Sequence, residues 1–151
     1  PEGDSMVEDM TMMLLFVYAS KVAYIPKAFY HYVQFNTNSI TASYSEKHLE
    51  ALHHNSLDIE QKLRAACKED IDLDLACLKL DQKWPFLLNG KRSMFKLWRK
   101  WFPETNKYIW KNPEISKRIC FIEWCAVKNQ FWIIWLHYWI VCRFYYGFLY
   151  K

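Results

Sequence analysis

Residues 5–19 read Ser5-Met6-Val7-Glu8-Asp9-Met10-Thr11-Met12-Met13-Leu14-Leu15-Phe16-Val17-Tyr18-Ala19. Ser5 and Glu8 stand at the spacing of a capping box, in which a serine and a glutamate satisfy each other's free amides at a helix start. The body that follows is apolar on nearly every face, through Met12, Met13, Leu14, Leu15, Phe16 and Val17. Such a helix has no side fit for water and must be buried against other elements.

Working outward, residues 22–25 and 29–35 are short runs rich in valine and tyrosine, separated by Pro26, and their composition predicts strands. Asn36-Thr37-Asn38-Ser39 reads as a turn. From residue 45 to 81, Leu49, Leu52, Leu57, Leu63, Leu73, Ala76, Cys77 and Leu80 recur at helical spacing, which predicts two amphipathic helices. Beyond residue 83 the chain is punctuated by Pro85, Asn89-Gly90, Pro103 and Asn112-Pro113, each a predicted helix boundary. A helix is expected over residues 93–102, a short one near Asn106, and one or two from Pro113 onward. The fold class expected is mainly α with a small β element in the first third.

Composition narrows the chemistry. The 151 residues are 52% hydrophobic and 19% aromatic, enough for a folded core, yet hold only 3 glycines. There is no GxGxxG or GxxxxGK[ST] run, so no backbone cradle for a nucleotide phosphate is legible. Five cysteines without a CxxC pair suit reduced thiols in a cytoplasmic protein. No amino-terminal signal is present and the chain begins at Pro1, so an excised fragment or processed product is expected.

Charge is graded along the chain. Residues 1–45 sum to −2, residues 46–82 to −4, and residues 83–151 to +10. That last segment points to an anionic partner. Nucleic acid is not expected, because no RNP, zinc-finger or homeodomain signature accompanies the basic residues.

Two smaller groupings carry little. Asp70-Ile71-Asp72-Leu73-Asp74 places only Asp70 and Asp74 on one helix face and reads as a solvated acidic surface. His53 and His54, with Glu50 and Asp58, lack a further ligand set and read as helix-surface polar groups, so no metal site is expected.

Glu2-Gly3-Asp4-Ser5-Met6-Val7-Glu8-Asp9, an apolar helix, Lys21-Val22-Ala23-Tyr24-Ile25-Pro26, Phe29-Tyr30-His31-Tyr32 and Asn38-Ser39-Ile40-Thr41 occur in the order found in the bacterial family 2 glycosyltransferases, which this stretch resembles. The resemblance implies the carboxy-terminal end of an α/β enzyme of GT-A type. It casts Asp9 as the catalytic base of an inverting transfer, paired with Glu8 on the acceptor side of the sugar-nucleotide site. It casts Tyr30, His31 and Tyr32 as substrate-binding residues on a strand that closes the site. An arginine common after the tyrosines is replaced by Val33. The parent enzyme would use Mg or Mn, a nucleotide sugar and a glycan or lipid-linked acceptor in surface polysaccharide synthesis. The base-binding strands and the DxD motif, which in that family precede the ED pair, are missing here. The fragment alone is therefore expected to be inactive, to need no cofactor and to self-associate.

On this reading residues 1–45 end the catalytic domain, and residues 46–151 form a helical, basic and aromatic extension. Within it Lys96, Trp98, Arg99, Lys100 and Trp101 are the candidate contacts to an anionic membrane or a partner protein, since indoles and lysines together favour a membrane interface. Residues 131–149 are apolar apart from His137 and Arg143, and the arginine argues against a membrane span. A cytoplasmic location, peripheral on the inner membrane, follows. The competing reading is a non-catalytic helical module that binds anionic membrane or a partner protein.

Overall fold

In the computed structural model, which describes residues 8–27 and 46–149 (side chains over residues 12–27 and 48–145), every regular element is a helix. In order these are α1 (Glu8–Tyr18), α2 (Glu46–Ala66), α3 (Asp72–Leu87), α4 (Arg92–Lys100), a 3-10 segment (Pro103–Lys111), α5 (Lys117–Val127), α6 (Phe131–His137) and a run of π-type turns (Tyr138–Leu149). The mainly α expectation holds. The small β element does not form where it can be seen: residues 22–25 have no regular structure, and Val22, Tyr24 and Ile25 are exposed. A strand needs a ladder partner, and the described residues supply none. Residues 29–35, the turn at 36–39 and Ser5 lie outside the described residues.

The chain divides into two compact units, Pro1–Glu69 and Asp70–Lys151. In the first, α1 packs against α2. Ile59 is the buried apolar anchor of α2, and Ser56 beside it turns its hydroxyl back to donate to the Leu52 carbonyl at 2.6 Å. That bond satisfies a buried hydroxyl within its own helix. The solvent side of α2 carries Asp58 with Lys62 and Glu60 with Arg64, acid four residues before base, the orientation that supports a helix.

In the second unit α3 packs on α4 and on the 3-10 segment, and α5 packs on α4, on the 3-10 segment and on α6. Leu75, Ala76, Leu80, Phe86 and Leu87 of α3 meet a core completed by Phe95, Trp98, Ile109, Cys120, Ile122, Cys125, Ala126 and Ile134. Phe86 and Trp101 meet edge to face at 5.0 Å, and Phe95 lies 5.2 Å from Phe131.

Pro85, read from sequence as a boundary, lies inside α3. Near a helix end the proline forfeits a single backbone bond. Carrying the helix to Leu87 buries Phe86 and Leu87 almost completely, which outweighs that loss. Helix α4 ends two residues earlier than predicted, because Trp101 is extended and Phe102 takes the left-handed conformation at φ 45°.

Gly90 carries the turn between α3 and α4 at φ 68°, and a Cβ there would sit 2.5 Å from Cδ1 of Tyr138. Both the backbone conformation and the neighbouring ring exclude a side chain. Gly90→Ala should lower stability by about 1–3 kcal/mol in urea unfolding. An unchanged midpoint would show that this turn and Tyr138 are not packed together.

Candidate functional site

Glu8 and Asp9 lie on α1. Their side chains lie outside the described residues, as do Tyr30, His31 and Tyr32 altogether. Further along α1, Met12, Leu15, Phe16 and Val17 are exposed, although the sequence predicts a buried helix. An apolar helix with that much open surface is short of neighbours.

The five candidate contacts around α4 separate into two groups. Lys96, Arg99 and Lys100 are exposed. Trp98 and Trp101 are not: they are buried at 0% and 6% exposure, so the expectation that these indoles reach a membrane or partner is corrected. Helical periodicity explains it. Phe95 and Trp98, three residues apart, form the inward face of α4, while Lys96, Arg99 and Lys100 take the other.

Against the inward-facing Trp98 ring packs Lys83, which sequence counting places among the basic residues of the tail. It is fully buried. Its ammonium lies 4.1 Å from the centre of the Trp98 ring and donates to the Trp101 carbonyl at 3.1 Å and to Asn106 Oδ1 at 3.1 Å. The Phe102 carbonyl stands at 3.5 Å from the same nitrogen and also accepts from the Thr105 hydroxyl at 2.7 Å. Cation and turn explain each other: the carbonyls at the end of α4 need donors, and the ammonium needs acceptors. Lys79, one turn earlier, reaches Glu104 at 3.1 Å and lies 4.7 Å from the centre of the Phe102 ring.

Glu123 is also buried, with its Oε2 lacking a hydrogen-bond partner among the described residues. Burial pushes its carboxyl up to about 8, against a smaller opposing pull from Lys83 and a further push from Asp81. Burial likewise lowers Lys83 to about 8, with Glu123 and Glu104 working to keep it charged and Lys79 working against. His137 is buried beside Trp84, ring centres 6.2 Å apart, and neither ring nitrogen has a partner among the described residues. Burial, then the nearby Arg118, pushes its pKa below the ordinary histidine value, which leaves it neutral at pH 7.

Lys83 and Glu123 are enclosed, at 0% and 1% exposure, so a solute cannot reach either. Lys83 ties the end of α4 to the 3-10 segment, whereas Glu123 is enclosed without a partner for its Oε2 among the described residues. Composition alone does not reveal them, because charged residues ordinarily lie at the surface. The available signal was spacing, since Lys79 and Lys83 fall on the same helical stripe as Leu75, Ala76, Phe86 and Leu87.

Asp70, just ahead of α3, accepts from the Asp72 amide at 3.0 Å on an exposed surface. Among the described residues no group of three or more His, Cys, Asp or Glu is placed to hold a metal ion, so they do not fit the Mg or Mn that the resemblance implies for a parent enzyme. No described helix is long and apolar enough to cross a membrane. Compared with protein-family models, curated proteins and solved structures, the chain matches none of them.

Because the Glu123 carboxyl titrates near pH 8 when folded and near 4.5 when free, the folded chain holds an extra proton between those values, and the stability this supplies is lost as pH rises through the window. Glu123→Gln should therefore gain stability relative to the natural chain from about pH 5 to about pH 8, measured as the difference in urea midpoints. A difference independent of pH would mean that Glu123 is not buried.

Proposed function

We propose that the chain is the acceptor-side end of an inverting sugar-transferring enzyme of the bacterial family 2 type. The observation that carries this reading is the Glu8-Asp9 pair at the start of an apolar helix, within the ordered matches over residues 2–41. Inverting transfer requires an acceptor hydroxyl to lose its proton as it attacks the anomeric carbon. A carboxylate positioned beside the acceptor hydroxyl can take up that proton. Support also comes from the exposed Leu15 and Phe16 on α1, whose missing neighbours a donor-binding domain would supply.

On this proposal the donor nucleotide sugar, and the Mg or Mn that accompanies it, are held outside this stretch. Asp9 is the base, Glu8 its companion, and Tyr30, His31 and Tyr32 border the acceptor. The acceptor is a glycan or a lipid-linked glycan of surface polysaccharide synthesis, made on the cytoplasmic side of the inner membrane. The piece alone is inactive and self-associates through α1.

The test is transfer from a nucleotide sugar by the chain joined to its donor-binding half, with Mg or Mn supplied. Asp9→Asn should lower kcat by roughly 10²–10⁴-fold and leave donor KM near its starting value. Undiminished transfer removes Asp9 from the mechanism.

A further inference from the structure

The indoles that the fold leaves outside are not those of α4. On α5, Lys117, Phe121, Trp124 and Lys128 are all exposed and recur at intervals of four, three and four, which places them along one helical face. On the segment that begins with α6, Trp132, Trp135, Leu136 and Trp139 are exposed at intervals of three, one and three, again a single face. Ile134 and His137 take the inward face between them. The usual polarity of a surface helix is thus reversed, since its largest apolar groups point to solvent while a histidine is buried.

Cations accompany these rings. Lys128 Nζ lies 5.9 Å from the centre of the Trp124 ring, and the exposed Arg143 lies 6.0 Å from that of Trp139. Trp135 and Trp139 meet edge to face at 6.0 Å, forming a contiguous aromatic surface. Helices α5 and α6 pack directly on each other.

We infer that the α5–α6 pair docks in the plane of an anionic lipid surface, with Trp124, Trp132, Trp135 and Trp139 at headgroup depth and Lys117, Lys128 and Arg143 against lipid phosphates. Charge selects this occupant. Residues 83–151 carry thirteen basic and three acidic residues, complementary to an anionic bilayer and self-repelling between two copies of this chain. Indoles interspersed with cations are suited to the headgroup layer, where one part of the side chain meets hydrocarbon and another meets water. The absence, among the described residues, of a helix able to cross a membrane leaves the in-plane position as the way to bury these rings in lipid. The inference does not rest on the transferase reading, and either can fail alone.

The test uses the full chain with phosphatidylcholine vesicles prepared with and without phosphatidylglycerol, followed by flotation and by quenching of tryptophan fluorescence with brominated lipid. Binding should require phosphatidylglycerol, weaken with added salt and bring quenching. The combined Lys117→Gln, Lys128→Gln and Arg143→Gln variant should bind roughly 10²-fold more weakly. Trp132→Ser with Trp135→Ser and Trp139→Ser should lose roughly tenfold or more with an unchanged far-ultraviolet dichroism spectrum. Should the tryptophan variant fail to fold, the charge variant and the quenching decide. No vesicle binding at low salt, equal binding to neutral vesicles, or a dimer dispersed by the tryptophan substitutions without any lipid binding would each overturn the inference.

Discussion

A buried ammonium holds the second unit in its shape. Lys83 is enclosed against Trp98, and its hydrogen bonds fasten the end of α4 to Asn106 of the 3-10 segment. An ammonium in a core is costly unless its protons are taken up, and here two backbone carbonyls, an amide oxygen and an aromatic face share them. The left-handed Phe102 belongs to the same arrangement, since its conformation brings consecutive carbonyls toward one cation and its own carbonyl toward Thr105. Strain of this kind persists where surrounding contacts over-determine it.

The partition of aromatic side chains follows. Trp98 lies inward under the Lys83 ammonium, and Trp101, whose carbonyl the same ammonium holds, lies inward edge to face with Phe86. Facing that core, α5 buries Cys120, Ile122, Glu123, Cys125 and Ala126, and turns Phe121 and Trp124 outward. The outward rings then cover cationic ends and become available to a surface. The direction each ring takes is thus a consequence of how the interior is filled, which is why the α4 indoles and the α5–α6 indoles, alike in composition, have opposite fates.

Much of the helical layout was legible. The punctuation at Asn89-Gly90, Pro103 and Pro113 located the breaks between α3, α4, the 3-10 segment and α5, because those residues act on the backbone itself. Pro85 misled for the reason that local rules can be outvoted: Phe86 and Leu87 had core to reach. The orientation of each ring was not legible, because a segment rich in both lysine and tryptophan admits either face to the interior. The Lys83 ammonium beside the inward rings contacts residues as far along the chain as Asn106, which spacing along one helix does not encode. For the acidic pair, Glu8 and Asp9 lie on a helix, as the sequence indicated.

The division of the indoles is also what a single experiment sees most directly. With every tryptophan replaced by 5-fluorotryptophan, the solvent isotope shift of each fluorine resonance in heavy water reports its contact with water. Resonances of Trp98 and Trp101 should be insensitive and should move when Lys83 is changed to methionine, whereas those of Trp110, Trp124, Trp132, Trp135 and Trp139 should show a clear solvent shift. A solvent-exposed resonance for Trp98, or indifference of both inner indoles to the loss of Lys83, would contradict the account.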